Sequence, residues 1–220
     1  MKKKQFVVIG LGRFGSSIAK TLYSLGNDVL AIDADEETIQ NVADSVTHAV
    51  QADATDENSL KTLGVSNFDV AVVTIGSDVQ ASIMATLLAK DLGVKYIIAK
   101  AHNELHGKVL KKIGADRVIF PERDMGVRVA HNLVSSNILD YIELSSDYSI
   151  AEIASPEDWN GRTLKELNMR SKYGINVMAL KRNNEVNISP SADDTIQPGD
   201  VIVAIGGIEE LNKLENEINR

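Results

Sequence analysis

The chain has no cysteine among its 220 residues, so disulfide bonds, thiolate zinc sites and cysteine nucleophiles are all excluded. It also has no excess of positive charge, because 23 Lys and Arg stand against 31 Asp and Glu, a formal net charge of −8. Nucleic-acid binding depends on basic patches, and none is seen in the sequence. We therefore expect no nucleic-acid partner.

Long apolar runs are missing too. No segment approaches the roughly 18–20 apolar residues that span a bilayer. The apolar run of residues 6–11 is too short for a secretory signal and leads directly into glycines. We expect a cytosolic protein, which would serve a membrane process only as a peripheral subunit. Its length and its apolar content of 44% allow one large or two small domains with a real core.

Short apolar runs alternate with amphipathic stretches over the first 120 residues. This alternation predicts an α/β fold, a Rossmann-type doubly wound parallel sheet with right-handed crossovers. The six predicted strands are residues 6–9, 28–32, 48–52, 70–75, 96–99 and 117–120. The five predicted helices between them are residues 14–25, 36–43, 57–63, 79–92 and 104–113.

The pattern changes after residue 120. Pro121 suits the first turn of a helix, and an apolar stripe from Met125 to Val134 predicts that this helix continues to Asp140. Alternating strands follow, with a hairpin turn at Asn183-Asn184 and a last helix over residues 209–218, which predicts a small α+β domain. The predicted domains are 1–120 for nucleotide binding, 121–143 as a connecting helix and subunit contact, and 144–220 as the small domain.

Three glycines, Gly10, Gly12 and Gly15, form a G-x-G-x-x-G turn between the first predicted strand and helix. The first two allow a tight turn close to phosphates, the third allows close helix packing, and the helix N-terminus supplies amide donors. Asp33 follows about 20 residues on, where a carboxylate accepts ribose hydroxyls and repels a 2′-phosphate. The turn therefore predicts a nucleotide other than NADP.

Arg13 stands inside this phosphate turn. A guanidinium is permanently charged and can chelate phosphate oxygens, whereas the bridging pyrophosphate of a dinucleotide needs only the amides of the turn. Arg13 therefore favours ligands with terminal phosphates, such as ADP or ATP. An exposed arginine without a ligand is the alternative.

Two acidic residues follow the third predicted strand, at the sheet edge where ligands bind. We expect Asp53 and the adjacent Ala54 to flank the adenine, and Asp56 to cap the next helix.

Further candidates follow the fifth and sixth strands. His102 and His106 are four residues apart in "HNELH", which does not match the H-E-x-x-H order of zinc proteases. They are candidates for a pocket edge, with solvent exposure as the alternative. Lys100 could reach a phosphate. Glu122 follows Pro121 at the start of a predicted helix, where the helix dipole favours an acidic side chain. Alternatively, Glu122 helps to hold a nucleotide-associated divalent cation.

Seven segments together carry a family resemblance: IGLGRFG, AIDAD, ADATDE, TIGSDVQAS, AKAHNELH, IGADRVIFPERDM and KYGINVMALKR. In order and spacing the chain resembles the RCK (KTN) regulatory subunits of bacterial Ktr/Trk-type potassium-uptake systems, and among them the cytosolic Ktr subunits. The resemblance implies an RCK_N domain, a crossover helix and an RCK_C domain. It also implies dimers assembled into an octameric ring beneath an integral membrane channel subunit, with ATP and ADP competing for one site.

The resemblance also implies site residues. The implied nucleotide contacts are Gly10, Gly12, Arg13, Phe14, Gly15, Asp33, Ala34, Asp35, Asp53, Ala54, Ile75, Gly76, Ser77, Lys100, Ala101, His102 and His106. Glu122 matches a position near a bound divalent cation, Mg or Ca. The implied contacts to cyclic di-AMP in the RCK_C domain are Leu164, Arg170, Ile175, Asn176 and Pro190.

Two alternatives stay open. An NAD-dependent oxidoreductase would need a general acid or base in a substrate domain, and the last 75 or so residues contain no histidine. We therefore expect a protein that is not an enzyme. NAD(H) as a regulatory ligand of the same kind of subunit is the second alternative.

Overall fold

The structure is a computed structural model that describes residues 3–134, 138–145, 147–183 and 185–218. It divides into two compact units, Met1–Pro121 and Glu122–Arg220. Asn184 of the predicted hairpin turn lies outside the described residues. Within the described ranges, no helix is both long and apolar enough to cross a membrane.

The first unit is a six-stranded parallel sheet in the order β3-β2-β1-β4-β5-β6. The strands are β1 (Gln5–Ile9), β2 (Asp28–Asp33), β3 (His48–Gln51), β4 (Val70–Val73), β5 (Tyr96–Lys100) and β6 (Arg117–Ile119). The helices are α1 (Arg13–Ser24), α2 (Glu36–Gln40), α3 (Glu57–Thr62), α4 (Val79–Asp91) and α5 (Glu104–Lys112). The predicted Rossmann-type fold is confirmed.

Apolar side chains cover both faces of this sheet, as the β-branched runs predict. Val7 and Ile9 of β1 belong to one core cluster and Val8 to another, because successive side chains of a strand point to opposite faces. All three are at most 1% exposed. Burial on both faces is what parallel strands with helical crossovers require.

Helix α6 (Pro121–Val134) starts at the last residue of the first unit, and the rest of it belongs to the second unit. The second unit also contains a five-stranded antiparallel sheet in the order β10-β9-β11-β8-β7. The strands are β7 (Ile138–Glu143), β8 (Tyr148–Ala154), β9 (Asn176–Arg182), β10 (Glu185–Asn187) and β11 (Val201–Gly207). The helices are α7 (Leu164–Leu167), α8 (Met169–Tyr173) and α9 (Ile208–Ile218). The predicted small α+β domain is confirmed.

The prediction of one helix reaching Asp140 is wrong, because residues 138–143 form strand β7 and pair antiparallel with β8. Ile138 and Ile142 follow Val134 at intervals of four, so the helical spacing continues by coincidence. Pairing with β8 decides the conformation, and it buries Ile138 in the second core. Arg128 of α6 then forms an ion pair with Asp140 of β7.

Candidate functional site

The loops after β1, β2, β4 and β5 lie at the carboxyl edge of the parallel sheet. Strand β1 has β2 on one side and β4 on the other, so the strand order reverses there. Ligands of open α/β sheets bind in the crevice at such a switch point. The predicted strand over residues 70–75 ends at Val73, which leaves Thr74 and Ile75 in the loop that faces the glycine turn.

The three glycines of the turn serve different needs. Gly10 has φ of 90°, and a Cβ atom there would lie 2.7 Å from the Ile75 nitrogen. A Cβ atom at Gly15 would lie 1.9 Å from the Gly10 oxygen. Gly12 has φ of −58° and nothing within 4 Å of its Cβ position. Packing within the protein therefore requires Gly10 and Gly15 but not Gly12, where the turn is open.

Helix α1 differs from the four helices that follow it in how it begins. Its N-cap residue is Gly12, which provides no side-chain cap, and no acidic residue lies in its first turn. Each of the next four helices has a side chain that accepts a hydrogen bond from a first-turn amide; these caps are Asp35, Asp56, Asp78 and Asn103. The predicted capping role of Asp56 is confirmed. The first amides of α1 have no acceptor within the helix, and they carry its partial positive charge.

Asp33 connects the glycine turn to the end of β2. Its Oδ2 accepts a hydrogen bond from the Leu11 amide at 2.5 Å, and its Oδ1 accepts one from the Asp35 amide at 3.0 Å. An ionised carboxylate offers about four acceptor positions, so each oxygen can accept a second hydrogen bond. Ala34, between them, uses its carbonyl oxygen to accept from Gln51 Nε2 at 3.0 Å.

Asp53 and Ala54 follow β3 and are held in place locally. Asp53 Oδ1 accepts hydrogen bonds from the Thr55 amide at 2.8 Å and from its hydroxyl at 2.7 Å. Asp53 itself is exposed, whereas Ala54 is buried in the first core. The two residues thus place an exposed carboxylate beside an apolar surface.

Lys100 lies between the glycine turn and the loop after β4. Its Nζ is 6.0 Å from the centroid of the Phe14 ring. The same atom would lie 3.5 Å from a Cβ atom at Gly76. The structure therefore brings Phe14, Gly76 and Lys100 together, and it places an ammonium group at the sheet edge. Ser77 is exposed in the same loop, and Ala101 after Lys100 is buried.

His102 and His106 form a connected pair. The exposed His102 side chain reaches the Gly76 carbonyl oxygen through Nε2, so this nitrogen carries a proton and donates. The His102 amide donates to Nδ1 of His106 at 3.3 Å. His106 is 4% exposed. Burial, and secondarily the charge of His102, lowers the pKa of His106, so its imidazole is neutral.

Arg13 is the first residue of α1, and its side chain is exposed. Among the described residues, no hydrogen bond or ion pair engages it. Glu122 lies in the first turn of α6. The described part of the chain has no group of three or more His, Asp or Glu side chains placed to hold a metal ion.

The five residues assigned by resemblance to cyclic di-AMP all belong to the second unit: Leu164, Arg170, Ile175, Asn176 and Pro190. Arg170 on α8 and Asn176 at the start of β9 are exposed, and Leu164 and Pro190 are half-buried. Ile175 is 1% exposed and packs in the second core. The Ile175 side chain is therefore occupied by core packing in this chain.

Thr74 is a site residue that sequence reasoning missed. Its hydroxyl donates to the Gly10 oxygen at 2.5 Å and lies 3.2 Å from the Ile9 oxygen, which braces the glycine turn from below. Ser16 adds a second brace by donating to the Leu11 oxygen at 2.5 Å. The sequence feature that could have predicted the role of Thr74 is a hydroxyl residue directly after an apolar strand, but this feature is too common to identify a site by itself.

Comparison with known proteins defines the class of the chain. It matches the TrkA-N domain family over residues 6–121 and the TrkA-C domain family over residues 149–219. Among solved structures, the GsuK RCK domain superimposes with a TM-score of 0.71 at 18% identity, covering 100% of this chain and 48% of that one. At that identity the superposition shows a shared fold.

Relatives of similar length narrow the assignment. Ktr system potassium uptake protein C of Bacillus subtilis (strain 168) is 49% identical over 216 residues, 98% of each chain. Ktr system potassium uptake protein A of the same organism is 46% identical over 217 residues, 99% of this chain and 98% of the relative. The chain belongs to the Ktr/Trk family of potassium-uptake regulatory subunits, as the resemblance in its motifs predicted.

Proposed function

We propose that this chain is the nucleotide-sensing, gating subunit of a potassium-uptake channel, with ATP and ADP as alternative ligands of the first unit. The observation that carries the proposal is the open glycine turn. A Cβ atom at Gly12 would meet no atom of the protein within 4 Å, and α1 begins without a side-chain cap. A free helix N-terminus beside an open turn is suited to phosphate oxygens, which the backbone amides and the helix dipole both favour.

The rest of the ligand fits the same sheet edge. The ribose hydroxyls would be held by Asp33, and the adenine would lie beside Asp53 and Ala54. Lys100 would face a phosphate. Asp33 ends β2, Asp53 and Ala54 follow β3, and Lys100 ends β5, which is how parallel sheets build a site at their carboxyl edge.

Arg13 supplies the difference between ATP and ADP. A nucleotide changes a conformational equilibrium only if it binds the two states with different affinity. In the proposed assembly Arg13 meets the terminal phosphate across a dimer contact, so ATP and ADP favour different arrangements. A closed ring of identical dimers would couple the sites through shared interfaces.

The assembly and its location follow from this role. We propose an octameric ring of dimers on the cytoplasmic face of the plasma membrane, bound to an integral membrane channel subunit, with α6 as a contact between subunits. Met125, Val127, Val129 and Leu133 on α6 are exposed apolar residues, which supports a subunit contact there. A divalent cation at Glu122 would need further ligands from a nucleotide or a second subunit.

We propose a binding protein rather than an enzyme, in line with relatives that are named potassium uptake proteins. NAD(H) is the second candidate ligand. The observation in its favour is the spare acceptor capacity of Asp33 at the end of β2, the position that holds the adenosine ribose in NAD sites.

Cyclic di-AMP is the proposed ligand of the second unit. Arg170 and Asn176 are exposed there and offer a guanidinium and an amide, which suit the phosphates and bases of this ligand. Two subunits would share one molecule.

Isothermal calorimetry of the full chain with ATP, ADP, NADH and cyclic di-AMP tests these proposals. We expect ATP and ADP to compete for one site and cyclic di-AMP to bind independently of both. Arg170→Ala should reduce binding of cyclic di-AMP and leave ATP binding unchanged. Binding of NADH in preference to both adenine nucleotides, or hydride transfer from it, would contradict the main proposal.

A further inference from the structure

The His102 imidazole bridges two loops of the proposed site. It belongs to the loop after β5 and donates from Nε2 to the carbonyl oxygen of Gly76, in the loop after β4. Both loops carry proposed nucleotide contacts, so the bridge connects two parts of the proposed site. The bridge is exposed, and water competes for an exposed hydrogen bond. A second, buried contact is therefore needed to hold His102 in place.

The buried neighbour His106 does so. Its Nδ1 accepts the hydrogen bond of the His102 amide, at 3.3 Å. His106 is itself held in the first turn of α5, where its amide donates to Asn103 Oδ1 at 2.9 Å. The next residue, Gly107, packs so closely on Phe120 that a Cβ atom would lie 2.6 Å from the ring. The imidazole is thus an acceptor in a fixed position.

The tautomer follows from this contact. Because Nδ1 accepts, the single proton of the neutral ring is on Nε2. That nitrogen is buried and has no hydrogen-bond partner among the described residues. A buried donor without a partner costs free energy, and natural cores rarely retain one. The arrangement keeps Nδ1 of His106 as an acceptor for the His102 amide, and it leaves the Nε2 proton of His106 without a hydrogen bond.

We propose that His106 is a positioning residue of the nucleotide site, which holds the His102–Gly76 bridge through the His102 main chain and makes nucleotide affinity depend on pH. This inference rests on the proposed function. A protonated His106 would carry a hydrogen on Nδ1, pointing at the hydrogen of the His102 amide. The contact would become repulsive, and the two loops would lose their connection.

The sign of the pH effect follows from burial. Burial lowers the pKa of His106 below its ordinary value of 6.5, so the accepting form prevails at neutral pH. The connection is present above that pKa and is lost as the pH falls through the lowered value. Charged or titratable groups stand at the end of β5, in the loop after it, in the first turn of α5, and on α4 and β6, which both pack against α5: Lys100, His102, Glu104, Lys90 and Arg117. Of these, His102 acts on the pKa of His106, and its positive form lowers it.

The test measures ATP affinity by calorimetry between about pH 5 and 8, where histidine titrates. His106→Asn keeps an acceptor near the position of Nδ1 but cannot be protonated in this range. His106→Leu removes the acceptor. His48→Asn is the matched control, because His48 is exposed on β3.

We expect the wild type and the His48→Asn variant to lose ATP affinity as the pH falls. The Asn variant at position 106 should keep its affinity across the range, and the Leu variant should bind about tenfold more weakly even at high pH, the effect of one lost buried hydrogen bond. Nitrogen NMR of the unliganded wild type should show the Nε2–H tautomer at His106.

Two results would overturn the inference while leaving the proposed function intact. One is an acid-induced loss of affinity that is the same in His106→Asn as in the wild type, and the other is an Nδ1–H tautomer at neutral pH. If the wild type bound neither ATP nor ADP at any pH, the proposed function itself would fail, and this inference with it.

Discussion

The amide of Leu11 donates to Oδ2 of Asp33 at 2.5 Å, which ties the glycine turn after β1 to the end of β2. The second carboxylate oxygen accepts from the Asp35 amide at 3.0 Å. One side chain therefore holds the glycine turn and, in the proposed complex, also receives the ribose. Structural and ligand roles share the same two oxygens, so they can be separated only by measuring stability and binding together.

Asp33→Asn should weaken ATP and ADP by similar factors, about tenfold for each. The amide side chain has one acceptor oxygen instead of two and no charge, so it cannot accept both ribose hydroxyls and both main-chain amides. Calorimetry with each nucleotide checks this prediction. Asp44→Asn, at an exposed position outside the site, is the control. Unchanged affinity for both nucleotides in Asp33→Asn would show that this carboxylate does not bind the ribose.

The glycines of the turn provide a second prediction. Gly12→Ala should bind ATP and ADP at least tenfold more weakly, because a methyl group would occupy the open space proposed for phosphate. Its folding should suffer by less than about 1 kcal/mol, the cost of alanine at a helix N-cap. Gly15→Ala should destabilise the first unit by about 3 kcal/mol, because its Cβ atom would overlap the main chain.

Urea unfolding and calorimetry on the two variants measure both effects. The proposal requires that Gly12→Ala mainly loses nucleotide affinity and that Gly15→Ala mainly loses folding stability. If Gly12→Ala bound nucleotide like the wild type, the open turn would not be the phosphate site.

Much of this architecture was predictable from local patterns. The β-branched runs, the glycine spacing and Asp33 are short-range signals, and they suffice for the parallel sheet and its switch point. The different needs of Gly12 and Gly15 were not predictable, because they depend on distances to residues far along the chain. The buried ring of His106 is a further case, since its partner is a main-chain amide that any residue provides.

Strand β7 was mispredicted for a related reason. Ile138 and Ile142 continue the helical spacing of α6, and only their pairing with β8 selects the strand. Local periodicity is a weak guide where an edge strand follows a helix of the same apolar spacing.

Arg13→Ala should weaken ATP more than ADP. Loss of the guanidinium removes a charge-assisted contact to a terminal phosphate. The terminal phosphate is the γ-phosphate in ATP and the β-phosphate in ADP, so the two nucleotides place it at different positions. Competition between the two nucleotides, measured before and after the change, gives the ratio directly, and potassium uptake should respond less to ATP. Lys20→Ala, at an exposed position of the same helix, should leave the ratio unchanged. Equal losses for ATP and ADP would contradict a terminal-phosphate role.

The last prediction concerns the stability of the second unit. Arg182 donates to both oxygens of Asp200, at 2.8 and 2.7 Å, and the Asp200 side chain is fully buried. Removing one member of a buried pair strands the other, but the Arg182 side chain is 40% exposed and water screens part of the effect. Arg182→Met should therefore destabilise the unit by about 2–3 kcal/mol in urea unfolding. Lys172→Met breaks the exposed pair with Glu217 and should cost clearly less than Arg182→Met, because water and salt screen an exposed ion pair.

The same pair sets the acid sensitivity of this unit. The hydrogen bond from Arg182 is the main cause that lowers the pKa of Asp200 below its ordinary value of 3.8. A lowered pKa in the folded state stabilises the fold above the unfolded value, and this contribution is lost as the pH falls through the folded value. The wild type should therefore keep this contribution above about pH 3.8 and lose it as the pH falls from there through the lowered value. In Arg182→Met the buried carboxyl lacks its cation, so this contribution is already missing at neutral pH, and the stabilities of the two proteins should converge as the pH falls. Urea unfolding followed along an acid titration would contradict this account if the difference in stability between the two proteins stayed the same from neutral pH to the acid end.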